Sequence, residues 1–170
     1  MIEFKHYMKS ALVNSGTPSF REYTASIDKK RFIQFVEGSI TELIPEDFGN
    51  LIGIENRCFS NLPNVERIEM SDTIRNIYNN SFQNLCNLKE VIFSANINLI
   101  DDCFKLDSDL QFKNNIVLDF SRAKQIPSYG SESTFLENSK VVTIKVPSSL
   151  YNDWKSSSYY SGVASKIVAV

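Results

Sequence analysis

The side chains that most often carry out catalysis or bind metals are scarce in this sequence. It contains one histidine, His6, and three cysteines, Cys58, Cys86 and Cys103. A zinc or iron–sulfur site needs several such ligands at short spacings, and the sequence has no Cys-x-x-Cys pair and no cysteine near His6. We therefore expect no metal and no other cofactor. Because buried cysteine usually packs as a small apolar group, we expect three reduced and mostly buried thiols.

Serine and aspartate, the other common catalytic side chains, are numerous but scattered. The sequence has no Gly-x-Ser-x-Gly turn and no glycine-rich phosphate loop, with only six glycines along the whole chain. Asp107 and Asp109 flank Ser108, but this spacing is too common to indicate calcium binding. An active site requires titratable groups that converge in space, and no motif here predicts such convergence. We therefore expect a protein without enzymatic activity.

Charge and hydropathy argue against two further classes of protein. The 170 residues carry a formal net charge of −2, which gives no overall positive field for nucleic acid. No apolar run reaches the roughly 18 residues of a membrane span. Residues 1–31 hold six Lys/Arg and three Asp/Glu, whereas the remainder holds twelve and seventeen. This positive leading segment is either a docking arm or a solvated amphiphilic segment.

The candidates that remain are charged and aromatic side chains on a repeated unit. The stretch NRCFSNLPNVERIEM, residues 56–70, is followed 23 residues later by NNSFQNLCNLKEVIF, residues 79–93. A partial copy precedes them at residues 39–48, and a third begins at Ile97 and Ile100. A period of this length is typical of a solenoid. Seven apolar positions coincide at this offset: Leu51/Ile74, Ile54/Ile77, Phe59/Phe82, Leu62/Leu85, Val65/Leu88, Ile68/Val91 and Met70/Phe93.

A single unit is too small to fold alone, because its few apolar side chains cannot offset the entropy lost on ordering the whole coil. Stacking gives each unit two neighbours and lets backbone hydrogen bonds run between coils. In such a stack Phe59, Phe82 and Phe104 should form a ladder of rings. Asparagine also recurs at turn positions, as in Asn61 and Asn84, which predicts local hydrogen bonds from side chain to backbone.

The segments VERIEM and LKEVIF predict a short strand in each unit, with Val65, Ile68 and Met70 of the first directed toward the core. The outward side chains are our candidate partner-binding residues: Glu66, Arg67, Glu69, Lys89, Glu90 and Ile92. In the alternative interpretation, opposite charges of neighbouring coils pair with each other, Glu66 with Lys89 and Arg67 with Glu90. The surface would then be an ordinary solvated sheet face.

The pattern I-x-N-x-x-F-x-N-L-x-N-L-x-x-V-x-F, from Ile77 to Phe93, resembles the BspA-like leucine-rich repeats, whose usual unit reads I-G-x-x-A-F-x-x-C-x-x-L-x-x-V-x-I-P. Cys86, four residues after Phe82, stands where that family often has cysteine. The resemblance covers about residues 39–105. It implies a β-rich α/β fold, a short right-handed leucine-rich-repeat solenoid.

The last 31 residues, KVVTIKVPSSLYNDWKSSSYYSGVASKIVAV, resemble the closing segment found after such repeats in proteins of gut bacteria and their phages. Their pattern predicts a strand that ends at Pro147, a short helix capped by Ser148 or Ser149, and a final strand. The open end of a solenoid is an unpaired edge, so we expect an atypical C-terminal cap.

Three aromatic residues stand out in this closing segment. Trp154 is expected to plug the cap, with a role as a sugar-stacking platform as the alternative. Tyr159 and Tyr160 are expected to be exposed and complete the set of candidate partner-binding residues.

These features divide the chain into an N-terminal arm or docking segment (residues 1–31), a leucine-rich-repeat solenoid (32–114) and a C-terminal capping repeat (115–170). The N-terminal sequence is a poor signal peptide, which favours a bacteriophage virion component, in the tail, baseplate or capsid, over a bacterial surface adhesin. Its expected location is the virion, with the bacterial cell surface as the alternative. The expected partners are other virion or surface-complex proteins, held through the arm, and a host-surface ligand.

Overall fold

The computed structural model describes residues 2–3, 26–27, 29–130 and 135–170. Most of the predicted arm, including His6, lies outside these residues. The strands are β1 (Ile2–Glu3), β2 (Ser26–Ile27), β3 (Glu42–Leu43), β4 (Gly53–Ile54), β5 (Arg67–Glu69), β6 (Asn76–Ile77), β7 (Glu90–Ile92), β8 (Leu99–Ile100), β9 (Ile116–Asp119), β10 (Ser128–Tyr129), β11 (Val141–Val146) and β12 (Ile167–Ala169). The α-helices are α1 (Lys29–Val36) and α2 (Tyr151–Ser156), and 3-10 helices span Pro45–Phe48, Ser148–Leu150 and Ser161–Lys166.

Two parallel sheets organise the described part of the chain, and the central coils contribute one strand to each. The larger sheet has the order β3-β5-β7-β9-β11-β12, and the smaller has the order β4-β6-β8-β10. Register follows the repeat, since Arg67 lies opposite Glu90 and Asn76 opposite Leu99. Parallel stacking of successive coils is the arrangement that a repeat solenoid requires. Strands β1 and β2 form a separate antiparallel pair.

The apolar residues of the repeat fill the core of the molecule. All seven positions of the second full unit are at most 1% exposed, whereas Leu51 and Leu62 of the first unit are half-buried. The predicted ladder is confirmed: ring centroids are 5.7 Å apart for Phe59 and Phe82 and 5.1 Å apart for Phe82 and Phe104. Stacked rings add to the stabilisation that burial alone provides.

The recurring asparagines join neighbouring coils, so the expectation of local hydrogen bonds from side chain to backbone is wrong for them. Nδ2 of Asn84 donates to Oδ1 of Asn61 at 2.9 Å, and Nδ2 of Asn87 donates to the Pro63 carbonyl at 2.6 Å. Parallel strands lie about 4.8 Å apart, which places the next coil within reach of a short amide side chain. The asparagines therefore add side-chain hydrogen bonds to the backbone bonds between coils.

Asparagine also suits the backbone at these turns. Asn61, Asn80 and Asn84 have φ values of 58°, 59° and 66°, in the left-handed region that asparagine tolerates better than most residues. Arg57 occupies the position equivalent to Asn80 one coil earlier, with φ of 61°. The backbone at Arg57 is therefore strained in a way that asparagine would relieve.

Helix α1 closes the N-terminal edge of the larger sheet through one side chain. The Arg31 guanidinium bonds both carboxylate oxygens of Asp47, which is 1% exposed, and also donates to the Glu42 carbonyl of β3. The Ile44 N–H gives the Asp47 carboxylate a third donor. Removing one partner of a buried ion pair leaves an unpaired buried charge, which is strongly destabilising. Arg31, the last residue of the predicted arm, is thus bonded to the folded body.

Strands from residues 115–170 extend the same larger sheet. Val141, Ile144 and Val146 are fully buried, as the spacing predicts, and β11 ends directly before Pro147. The final strand predicted for the closing segment is β12, which pairs parallel with β11.

The predicted serine cap of helix α2 is wrong. The residue before the helix is Leu150, which provides no side-chain cap, and Ser148 lies in the preceding 3-10 helix. The Ser148 hydroxyl donates instead to the Val170 carbonyl at 2.9 Å, so it ties the residues after β11 to the last strand.

Trp154 and Tyr160 pack together in the core. Their ring centroids are 4.4 Å apart, and both side chains are fully buried. The expected burial of Trp154 is confirmed, but the expected exposure of Tyr160 is wrong. The Tyr160 hydroxyl donates to the Pro127 carbonyl at 3.0 Å, which satisfies its polar group, and burial raises the pKa of Tyr160. Its neighbour Tyr159 is the exposed one, at 55%.

The three cysteines are free thiols; Cys86 and Cys103 are buried and Cys58 is partly buried. Burial raises the pKa of Cys58 to about 11 and holds the pKa of Cys103 well above its usual value. Cys58 and Cys103 occupy equivalent positions two coils apart, with Ser81 on the coil between. Two coil spacings of about 4.8 Å exceed the separation that a disulfide spans.

The phenylalanine ladder predicts a large stability cost at its centre. Phe82→Ala should lower the free energy of unfolding by about 3–5 kcal/mol, because it leaves a cavity between two stacked rings. Urea denaturation would measure this change. Ile52→Ala, at a side chain that is 60% exposed, is the control and should change stability by less than about 0.5 kcal/mol. Equal effects of the two substitutions would contradict the ladder.

The strained turn predicts a substitution that stabilises the protein. Arg57→Asn should raise the free energy of unfolding by about 0.5–1 kcal/mol, because asparagine adopts positive φ more readily than arginine. The reverse change one coil later, Asn80→Arg, should lower it by a similar amount. Paired thermal and urea melts would measure both, and a loss of stability in Arg57→Asn would show that φ is not the controlling factor at this position.

Candidate interaction surface

The outward side of the larger sheet, here called the strand face, brings together the six predicted residues of the repeat. Side chains alternate across a strand, so the burial of Ile68 and Val91 places their neighbours outside. The strand-face residues Glu66, Arg67, Glu69, Lys89, Glu90 and Ile92 are all exposed or half-buried. Four of them lie in β5 and β7, and Glu66 and Lys89 directly precede these strands. Their exposure agrees with the expected outward position, and their role in binding stays a prediction.

The charges of the strand face pair with each other between coils, as the alternative interpretation expected. Lys89 Nζ lies 2.7 Å from Glu66 Oε2, and Arg67 Nε lies 3.2 Å from Glu90 Oε2. Arg67 also bonds Glu69 at 2.7 Å along its own strand. The hydrogen bond to Glu69 raises the pKa of the Arg67 guanidinium. A fixed positive charge thus sits among several carboxylates.

Five further charged residues extend this network and were missed by sequence reasoning: Glu42, which lies 4.0 Å from the Arg67 guanidinium, and Asp72, Asp119, Arg122 and Lys145. Lys145 Nζ lies 3.2 Å from Asp119 Oδ2 and 3.9 Å from Glu90 Oε1. Burial acts to raise the pKa of Asp119, but hydrogen bonds from Ser121 and the Lys145 ammonium outweigh it, and the pKa is lowered. The outward spacing in the recognised strands IVLDF and VVTIKV was the signal that would have found Asp119 and Lys145.

Arg122 and Asp72 form the other extension of the network. The Arg122 guanidinium lies 3.8 Å from Glu69 and 3.9 Å from Asp72, and it donates to the carbonyls of Met70 and Phe93. Arg122 lies beyond the end of β9, so the repeat pattern gave no sign of it. It joins three coils through one side chain.

The strand face also carries apolar side chains, which take no part in this network of ion pairs. Ile92 and Val117 are half-buried outward residues on adjacent strands, and Val142 and Val168 farther along are each 42% exposed. Their charged neighbours already have partners within the chain. Exposed ion pairs of this kind stabilise by only a few tenths of a kcal/mol to about 1 kcal/mol each. The face therefore combines fixed charged pairs with open apolar positions.

Tyr159 does not belong to this surface. It lies on the turn between α2 and the last 3-10 helix, and its side chain is exposed. Tyr160, the other aromatic candidate, is buried and therefore belongs to no surface. The structure thus separates the two tyrosines from the six residues of the strand face.

A groove of about 620 Å³ opens beside the longer connection between β8 and β9. Its floor includes Phe104, Phe112 and Phe135, and its rim carries Lys105 and Lys140. Within the part of the chain that the structure describes, no three His, Cys, Asp or Glu side chains cluster to hold a metal ion. In the same residues, no helix has the length and apolar character needed to cross a bilayer.

Comparison with known proteins agrees with this architecture. The family model for the BspA type leucine-rich repeat region matches residues 25–163 in six copies, well beyond the span recognised from the sequence pattern. Comparison with curated proteins and with solved structures finds no match. The matched region takes in β3 to β11 and helices α1 and α2, so it includes both parallel sheets almost entirely. The chain therefore belongs to the BspA-type leucine-rich repeat family.

Proposed function

We propose that this protein is a non-enzymatic interaction protein that binds another protein through the strand face. The observation that carries the proposal is the arrangement of that face, where apolar side chains lie among charges already paired within the chain. Leucine-rich repeat proteins generally act by binding, which supports the same conclusion.

The centre of the binding site is Ile92. It lies half-buried on the middle of the larger sheet, between the carboxylate of Glu69 on one strand and that of Asp119 on the next. An apolar centre with a polar rim is the usual anatomy of a protein interface. Glu66, Arg67, Lys89 and Glu90 then form the rim, where paired charges contribute to orientation and specificity more than to affinity.

The site is carried by a short right-handed solenoid, and residues 115–170 form its C-terminal capping repeat. The burial of Trp154 against Phe120 and Tyr160 supports this role, because it fills the core beside the last strands. A capping repeat differs from the others because one of its sides has no neighbouring coil.

The place of action has two candidates. BspA-type repeats are typically associated with bacterial surfaces, which favours a surface interaction module that binds host protein or polysaccharide. The positive charge of residues 1–31 against a negative remainder favours a virion subunit whose arm docks on neighbouring subunits. Both candidates use the same face.

Affinity capture from cells that produce the protein tests the proposal and separates the two locations. The tagged protein should recover its partner, and Ile92→Arg should reduce recovery at least about tenfold. The change replaces the apolar centre with a larger charged side chain that the interface would have to desolvate, at a cost of more than about 1.4 kcal/mol. Recovery with phage particles supports the virion candidate, and recovery with the cell envelope supports the surface candidate. A version that begins at Lys29, which keeps Arg31, tests whether the arm is needed.

The matched control is Ile52→Arg, at a side chain that is 60% exposed beside the smaller sheet. This variant should recover the partner as well as the unaltered protein. If Ile52→Arg and Ile92→Arg lose binding equally, or if neither does, the strand face is not the binding site.

A further inference from the structure

We propose that the protein forms a closed two-fold dimer in which the β12 strands of two copies pair antiparallel. The larger sheet has two edges, β3 and β12, and the structure treats them differently. The edge at β3 is closed by the chain itself, and the edge at β12 is open among the described residues. The proposal is independent of the binding partner proposed above.

The closed edge depends on Arg31. In a parallel pair, alternate residues of an edge strand direct their backbone groups to opposite sides. The Thr41 carbonyl accepts from Arg67 of β5, so Glu42 points away from the sheet. The outward carbonyl of Glu42 accepts a hydrogen bond from Arg31, which Asp47 holds in place. A second copy therefore cannot add a strand here without displacing a buried ion pair.

The open edge has the opposite character. The Val170 N–H donates to the Val146 carbonyl and the Val170 carbonyl accepts from Ser148, so Val168 and Val170 pair toward β11. Ile167 and Ala169 therefore direct their backbone groups outward. The Ile167 N–H is already bonded to the Ala164 carbonyl. The Ala169 N–H remains as a donor and the Ile167 carbonyl as an acceptor on the open edge.

The residues of this edge include none of the features that usually prevent strand pairing. The four residues Ile167 to Val170 include no charged side chain and no proline, which are the residues that usually protect an exposed edge. Val168 and Val170 are 42% and 55% exposed on the outer side of the strand. Lys166, the nearest cation, is bonded to the carbonyls of Leu136 and Asn138.

The same edge of a second copy provides hydrogen-bonding partners for these two backbone groups, because the two copies are related by a two-fold axis. In an antiparallel pair centred on Val168, each Ala169 N–H donates to the Ile167 carbonyl of the other copy. Val168 then faces the partner subunit's Val168 at a non-hydrogen-bonded position, where Cα atoms approach to about 4.5 Å. Such a contact uses the same patch on both copies, so it closes as a dimer. Because the β3 edge is blocked, the assembly cannot grow into a fibre.

The contact is small, so the dimer should be weak. Analytical ultracentrifugation of the intact protein between about 10 µM and about 1 mM should show the mean mass rising from 19.4 kDa toward twice that value. Val168→Lys should remain a monomer over the whole range, because two like charges would meet at the axis. Val142→Lys is the matched control, since Val142 is equally exposed on β11 but away from the edge, and it should dimerise normally.

Cysteine cross-linking provides a second measurement, because a disulfide traps even a weakly populated dimer. Val168→Cys should form an intermolecular disulfide under mild oxidation, because Cα atoms about 4.5 Å apart suit that bond. Val142→Cys and the unaltered protein should not. A monomeric mass at about 1 mM, a mass beyond twice the monomer, or equal behaviour of the Val168 and Val142 variants would each overturn the proposal.

Discussion

Each coil of this chain depends on its neighbours, because a single coil buries too little apolar surface to offset the entropy of ordering it. Every other feature of the fold follows from this constraint. The phenylalanine ladder, the asparagine bonds and most ion pairs of the strand face connect residues of different coils. The two ends need separate solutions, since an end coil has only one neighbour. Arg31 and Asp47 provide one at the first coil, and Trp154 packs beside the last strands.

The inward pattern of the repeat was predictable from the sequence because apolar residues recur at the same positions of each 23-residue unit. Ile68 and Val91 have the same type, spacing and burial, and their outward neighbours follow. The pattern is harder to recognise after Phe104. Paired residues of adjacent strands are 23 apart in the sequence for Arg67 and Glu90 but 27 apart for Glu90 and Val117. Asp119 and Lys145 were missed for that reason, although both lie on strands that were recognised.

Other features depend on long-range contacts that no local pattern encodes. Tyr159 and Tyr160 are adjacent and chemically identical. Tyr160 is buried by contacts with distant residues, the rings of Trp154 and Tyr129 and the Pro127 carbonyl. The pair between Arg31 and Asp47 joins residues 16 apart in the sequence that lie on different elements. The asparagines were correctly placed at turns, but their bonds to the next coil became visible only once the coils were stacked.

The function proposed for this chain rests on a rigid stack that holds its outward side chains in fixed rows. Native-state hydrogen exchange of the strand amides tests that claim most directly, because it reports the free energy at which each coil opens. If the coils form one cooperative stack, the amides of β5, β7, β9 and β11 should exchange with the same opening free energy, within about 1 kcal/mol. If β9 and β11 open several kcal/mol more easily than β5 and β7, the closing residues are a separate unit and the continuous strand face does not exist.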